Sequence, residues 1–373
     1  MSMSSHGFRV KIILLHGSHP ENIPLPGGFE QLSIPARTNV FTRRRYLREC
    51  LSEIPDNEPV VIHDTFMAQL GLEVRHRFTL KHRKANIRNV LSLYSTAPSY
   101  LFQGHWIGDN KEYKARLREW PYYLKKYVPI VCGEMLSCQL ADMVTGNSQE
   151  VVDGVQKYYR LGPERTRFVS AEIDTEYYVP GPSKRQELEL PEEGKILLYA
   201  GKFQRQKGID VLLKAFDRVA AKNPKAYLVM LGEPGDTGYM WYKDLLDSLP
   251  CRDRILIRKP VKSNLLRDYY RSCDVFVMPT YHEGSPRVVK EAMACGLPVV
   301  ASLIEGNLAI DPEQKSLVLL RDWQPGLYAD AVEKVLEDEA FRDQRIEAGL
   351  TAAQHLSPER VALRYMDLYK SLF

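Results

Sequence analysis

No stretch of about 20 consecutive apolar residues occurs in the chain, so nothing in it reads as a membrane-spanning helix. The first apolar run, Ile12 to Leu15, is too short for the core of a secretory signal. Cysteine is sparse: Cys50, Cys132, Cys138, Cys251, Cys273 and Cys295, with no CxxC pair among them. That spacing argues against a zinc site or a disulfide framework and fits reduced thiols of a cytoplasmic protein. No strand-linked GxGxxG is present, which sets aside a nicotinamide-binding protein. Excess charge is small, 51 basic against 47 acidic residues for a net +4, too mild to imply a nucleic-acid partner. Short-period repeats and low-complexity segments are absent as well.

What is present is the balance of a core-forming chain, 44% apolar and 26% charged. A length of 373 residues suggests two ordinary domains. Phe8 to Gly17 reads as a buried strand, and a loop with Pro24, Pro26, Gly27 and Gly28 follows. Asn39 to Ile54 and residues 111–127 read as helices, Pro59–His63 and Asn89–Tyr94 as strands. Ala141 to Ser148 reads as a strand running into an N-cap serine, with a helix from Gln149 to Tyr159. Pro180, Gly181, Pro182 and Ser183 open a Glu-rich link over residues 180–194. After it the pattern restarts with strands at Lys195–Ala200, Ala226–Leu231, Arg254–Ile257, Val275–Met278 and Pro298–Ala301. Helices are expected at Gly208–Ala221 and Arg287–Cys295. Strands alternating with helices predict parallel sheets built from βαβ units, twice over.

The chemistry concentrates in two strand-to-helix turns. In Val275 to Ala294 a strand ends at Met278, a loop carries Glu283, and a helix is expected to start with Ser285 as N-cap and Pro286 as first residue. A helix start at the carboxyl end of a parallel sheet suits a phosphate. Glu283 beside it makes sense as an acceptor of hydrogen bonds from hydroxyl groups, or equally as a solvated carboxylate. Glu291 lies two turns along, and could equally pair with Arg287 at i,i+4. The second turn, Gly201-Lys202-Phe-Gln-Arg205-Gln-Lys207-Gly208, gathers three cations between glycines, which suits a diphosphate or a solvated basic loop.

These stretches, with Glu291-Ala-Met-Ala-Cys-Gly-Leu-Pro-Val-Val-Ala301, Ala141 to Ser148 and Ile173-Asp174, resemble the retaining GT-B glycosyltransferases of glycosyltransferase family 4, the glycosyl transferases group 1. The resemblance covers residues 140–373 well and the beginning of the chain weakly. It implies an α/β fold of two Rossmann-like domains facing a cleft: residues 1–185 acceptor-binding, 186–358 donor-binding, and a C-terminal helix, 359–373, crossing back to the first. It implies that Glu283 faces the donor sugar, Glu291 binds the ribose hydroxyls, and Lys207 meets the diphosphate. Lys202 stands where the family usually has Arg, which keeps the charge and loses the fork. Gly201 opens that turn. Gly284, Ser285 and Arg287 would present groups to the phosphates or sugar, while Pro286 replaces a common Gly and removes one amide donor. Arg258 and the Gly232–Glu233 turn would line the base pocket, and Gly28 would let the first domain approach the donor. Three departures stand out: Leu93-Tyr94-Ser95-Thr96 lacks the family histidine, for which His63 after an earlier strand or His105 could substitute. Ala171-Glu172 replaces Asn-Gly, and Glu305-Gly306-Asn307 lacks the usual final glutamate.

The implied function is retaining transfer of a sugar from a UDP or GDP sugar to a glycan, lipid-linked or small-molecule hydroxyl acceptor, in polysaccharide or glycoconjugate biosynthesis. The nucleotide sugar is a substrate, and no separate cofactor is expected. No Asp-x-Asp pair occurs, so a metal-bridged donor is not expected. An epimerase or a phosphorylase of the same fold stays open. Residues 1–190 carry 25 basic and 21 acidic residues, so the basic excess lies there; it leaves peripheral contact with an anionic membrane surface open beside a solvated face.

Overall fold

A computed structural model describes residues 10–14, 29–33, 59–65, 87–93, 96, 120–233 and 242–373. Its larger sheet has six parallel strands: β7 (Lys195–Ala200), β8 (Ala226–Leu231), β9 (Ile255–Arg258), β10 (Val275–Met278), β11 (Val299–Ser302) and β12 (Leu317–Leu320). Their spatial order is β12-β11-β10-β7-β8-β9. Counted from β7 this is the doubly wound 3-2-1-4-5-6 order, which reverses between β7 and β10 and opens a crevice at their carboxyl ends.

The strand sequences explain the layering. A strand buried on both faces reads as an unbroken apolar run, and β7, Lys-Ile-Leu-Leu-Tyr-Ala, is buried from Ile196 onward. Alternate residues go to opposite faces. Leu197 and Tyr199 join a cluster with Leu212 and Phe216 of α3 (Ile209–Lys222) and Tyr328 and Val332 of α8 (Pro325–Glu337). Ile196 and Leu198 join the opposite cluster, with Tyr269 and Tyr270 of α5 (Ser263–Ser272) and Val289 and Ala292 of α6 (Arg287–Ala294). The link expected at residues 180–194 is packed: Leu188 and Leu190 are buried in that second cluster, as are Ile173 and Tyr178 before it.

The smaller sheet runs β3-β4-β5-β6, all parallel: β3 (Val60–Thr65), β4 (Ile87–Leu93), β5 (Met143–Gly146) and β6 (Thr166–Phe168). A separate parallel pair joins β1 (Val10–Leu14) and β2 (Phe29–Ser33). Helix α1 spans Trp120–Leu140, so helix continues well past residue 127, where the charge pattern suggested an end. Ser148 caps α2 (Gln149–Tyr159) as expected, its hydroxyl accepting from the Val151 amide at 3.3 Å. The helix expected at Asn39–Ile54 lies outside the described residues. Helix α4 (Lys243–Ser248), α7 (Glu305–Leu308) and α9 (Glu339–Gln354) complete the second half.

The last helix, α10 (Pro358–Lys370), returns to the first sheet. Its apolar face, Val361, Leu368 and Tyr369, is buried with Val90 of β4, Met143 of β5 and Val169. Among the described residues no helix is long and apolar enough to cross a membrane.

Leu368 is 7% exposed in this cluster, so Leu368→Ala should cost about 2–4 kcal/mol and lower the melting temperature in a calorimetric scan. An unchanged melting temperature would mean that α10 is not docked as described.

Candidate functional site

The loops leaving β7 and β10 flank the crevice, and they are laced together. After β7, the Tyr199 hydroxyl donates to the Lys202 carbonyl (3.0 Å) and the Phe203 amide to the Glu233 carbonyl (2.8 Å). A 3-10 turn, Arg205–Lys207, then ends at Gly208 with φ +66°. A β-carbon on Gly208 would stand 2.0 Å from the Pro279 carbonyl oxygen, so both the backbone conformation and the space require glycine. Gln206 joins the two loops through its carbonyl, which accepts from the Tyr281 amide (2.8 Å) and the Thr280 hydroxyl (3.1 Å). Its side-chain amide donates to the His282 carbonyl at 3.2 Å. The Trp323 ring stacks on Tyr281, centroids 5.0 Å apart, and its Nε1 donates to the Thr280 carbonyl.

This lacing brings Lys207 and Glu283 into a direct ion pair, with side chains only 16% and 22% exposed. Beneath it, burial first and then the Glu283 carboxylate hold the Tyr199 hydroxyl well above its ordinary pKa, so it stays a donor. Glu283 is also fixed from above. A β-carbon on Gly306 of α7 would meet the Glu283 carbonyl oxygen at 2.0 Å, so α7 rests on that loop.

The start of α6 differs from the sequence expectation. Helix begins at Arg287, Pro286 occupies the cap position with φ −71° and ψ 105°, and no side chain caps it. Ser285 is not the N-cap: its hydroxyl accepts instead from Lys290 Nζ at 3.0 Å. A charge-assisted bond from a buried ammonium outcompetes a neutral bond to a backbone amide. Pro286 has no N–H, and the amides after it are those for which a helix has no internal partner.

Glu291, 5% exposed, makes the i,i+4 pairing with Arg287 that the sequence offered, and holds a tyrosine as well. Its Oε1 lies 3.7 Å from Arg287 Nε, and Oε2 accepts from the Tyr270 hydroxyl at 3.0 Å. Burial, with Glu291 second, pushes that hydroxyl far up, and pushes Tyr178 up to about 12. Gly232 follows β8 where a β-carbon would meet the Gly201 carbonyl oxygen at 2.0 Å, and its amide donates to the Arg258 carbonyl. The ends of β7, β8 and β9 are thus locked together. The Arg258 side chain, expected at a base pocket, is turned to the inter-sheet link, donating to the Glu189 carbonyl at 2.9 Å. Lys202 is exposed, Gly284 and Ser285 are half-buried, and Arg287 is exposed. Gly28 and His105 lie outside the described residues.

His63 lies within β3, not after it, and is a tie between elements. Its Nδ1 is 2.5 Å from the Tyr369 hydroxyl of α10, and its Nε2 2.6 Å from Ser92 Oγ of β4. Ser92 Oγ is in turn 2.7 Å from Thr145 Oγ1 of β5. Beside this network is a polar cavity of about 30 Å³, lined in part by Ser92, Thr145, Asn147, Glu172 and Tyr365. Asn147 Oδ1 is buried there with no hydrogen-bond partner among the described residues. Two contacts join the halves around the site: His282 Nδ1 lies 3.7 Å from Glu150 Oε1 of α2, and Lys290 Nζ donates to the Ala171 carbonyl at 3.0 Å. Sequence reasoning passed over Lys290, Gln206 and His282. A lysine among Val289, Ala292 and Met293 on an otherwise apolar helix face was the available signal for the first.

Among the described residues no three His, Cys, Asp or Glu side chains gather as metal ligands. Residues 182–351 match the family model described as "Glycosyl transferases group 1". The chain is 32% identical over 228 residues to a D-inositol 3-phosphate glycosyltransferase of Stackebrandtia nassauensis, covering 59% of this chain and 51% of that protein. A relative with the same name from Nocardioides sp. is 25% identical over 363 residues, covering 92% and 73%. The chain spans about half the length of the first curated relatives that it matches, 51% and 57%. Among solved structures, sucrose-phosphate synthase from Thermosynechococcus elongatus superposes with TM-score 0.74 at 21% identity, covering 100% of this chain and 90% of that one. Anabaena HepE in complex with UDP-glucose gives 0.69 at 16% identity, covering 92% and 86%. The fold is therefore that of the GT-B glycosyltransferases, two Rossmann-like halves with parallel sheets.

Gly208→Ala forces a left-handed backbone on a side chain aimed at the Pro279 carbonyl, and should cost at least about 1–2 kcal/mol in urea unfolding. A midpoint equal to that of the parent chain would show that the two loops do not pack as described.

Proposed function

We propose that this chain is a retaining glycosyltransferase that moves a sugar from a nucleoside-diphosphate donor to a hydroxyl acceptor. The observation that carries the reading is the Lys207–Glu283 pair, held by two laced loops beside the start of α6 at the sheet's switch point. Cation, carboxylate and helix amides converge where a sugar-linked diphosphate needs a positive partner at one end and a hydroxyl acceptor at the other. The family match over residues 182–351 and the UDP-glucose complex of a protein with this fold support the donor class.

In the donor-free chain the two charges satisfy each other. When the donor enters, the Lys207 ammonium transfers to the diphosphate and the Glu283 carboxylate accepts from sugar hydroxyls. Lys202, across the same turn, adds a second cation. As the bond from the anomeric carbon to the phosphate oxygen breaks, its electron pair moves onto the diphosphate, where Lys207, Lys202 and the α6 amides stabilise the growing charge. The acceptor oxygen bonds to the anomeric carbon on the same face, and its proton passes to the departing phosphate oxygen. No enzyme nucleophile is required in this scheme, and the sequence offers no convincing second carboxylate to serve as one. Protein cations meet the diphosphate charge in this scheme, in keeping with a chain that has no Asp-x-Asp pair.

The acceptor enters from the side of the first sheet, over residues 1–185. The polar groups of Ser92, Thr145, Asn147 and Glu172 gathered on that side suit hydrogen bonds to the hydroxyl groups of an acceptor laid over them. Relatives named for D-inositol 3-phosphate support a polyol or sugar as the acceptor.

Glu283→Ala should lower turnover of the preferred nucleotide sugar by roughly 100-fold or more, and Lys207→Met should do likewise, with circular dichroism unchanged. Release of nucleotide that depends on added acceptor is the assay. Turnover within a few-fold of the parent in both variants would defeat the assignment, and donor conversion without any acceptor would make the chain an epimerase.

A further inference from the structure

Lys290 is wholly buried, at 0% exposure, on a helix face otherwise made of Val289, Ala292 and Met293. Taking an ammonium out of water is costly, and an apolar side chain of similar volume at such a place is often neutral or better for stability. The lysine is held by two hydrogen bonds, to the Ala171 carbonyl of the segment crossing between the sheets and to Ser285 Oγ, each 3.0 Å. Ser285 directly precedes Pro286, and Pro286 deprives the start of α6 of one amide donor. A serine oxygen that accepts from an ammonium must aim its own proton elsewhere, because the ammonium has no lone pair to receive it.

Resting on the donor reading above, we infer that Lys290 is a positioning residue for the donor diphosphate. It fixes the Ser285 hydroxyl as a proton donor to a phosphate oxygen at the start of α6, in place of the amide that Pro286 removes. Behind that hydroxyl it sets a positive charge shielded from solvent. Its bond to Ala171 also couples the hydroxyl to the segment that joins the halves.

A pH signature follows. Burial first lowers the Lys290 pKa to about 8, and Glu172 opposes that shift from the crossing segment. Arg287 and Glu291 face it from its own helix. Tyr178 and Tyr270, from the elements packed beside Glu291, are pushed up by burial, Tyr178 to about 12, and do not titrate in this window. A bound diphosphate raises the lysine pKa. Below about 8 Lys290 is charged with or without the ligand, so it adds no pH dependence. Above about 8 binding must take up a proton, so affinity falls with rising pH, by at most about tenfold per unit.

The test is calorimetric titration of UDP and of GDP, at intervals from pH 7 to about 9.5, into the full chain and into Lys290→Leu, Ser285→Ala and the double variant. Each single variant should lose roughly tenfold or more in affinity for the preferred diphosphate, the worth of a hydrogen bond to a charged group. The double variant should lose less than the two single losses combined, because part of the lysine's effect acts through that hydroxyl. The fall in affinity above pH 8 should flatten in Lys290→Leu. The corresponding nucleoside without phosphates should bind all four proteins alike. Affinities within twofold of the parent in Ser285→Ala, or an unaltered pH profile in a folded Lys290→Leu, would overturn the inference. If Lys290→Leu fails to fold, Ser285→Ala, a change at a half-buried loop position, decides alone. If the parent chain binds neither diphosphate, the donor reading fails instead.

Discussion

The contact between the loops leaving β7 and β10 is the constraint on which the site depends. Gly208 abuts the Pro279 carbonyl, and Gln206 hydrogen-bonds three residues of the facing loop. Neither loop could hold a long side chain in place by itself, since exposed lysines and glutamates lose much rotamer freedom when ordered. Laced together, they bring Lys207 and Glu283 into contact in a largely buried position. A partly desolvated pair of this kind is weak evidence for stability. Under the proposed donor reading, each member waits for a different part of one ligand.

The sheet supplies the rigidity behind this contact. β7 and β10 are hydrogen-bonded neighbours with both faces covered, by α3 and α8 on one side and α5 and α6 on the other. Glycines without room for a β-carbon repeat the theme at Gly232 against Gly201 and at Gly306 against Glu283. The main chain around the site is therefore close-packed at three points. His282 with Glu150, and Lys290 with Ala171, link the halves next to Glu283 and Ser285.

The second half was the more legible in the sequence. Strands β7, β8 and β10 match the expected bounds because strands buried on both faces leave continuous Val, Ile and Leu runs, which need no partner to be recognised. Lys207 and Glu283 lie in the strand-to-helix turns where the sequence put them, and Glu291 lies within α6, because the strands and helix that bound them are legible from local pattern. Ser285 was misplaced as an N-cap because local propensity cannot see Lys290, five residues on, reaching back for its oxygen. The contact of the Arg258 side chain was not legible because its partner, Glu189, sits in a link far from it in sequence. His63 depends on Tyr369, which arrives from the other end of the chain. Contacts set by long-range topology leave no local pattern, a cause that Arg258 and His63 share.

The central claim is that Lys207 and Glu283 form a pair that a diphosphate opens. A double-mutant cycle with Lys207→Met and Glu283→Gln, read by affinity for UDP and GDP, tests it most directly. The account predicts weaker binding for Lys207→Met, and equal or tighter binding for Glu283→Gln, in which the lysine has lost its competitor. The gain from Glu283→Gln should vanish once Lys207 is gone. Strictly additive effects, or weaker diphosphate binding in Glu283→Gln, would contradict it.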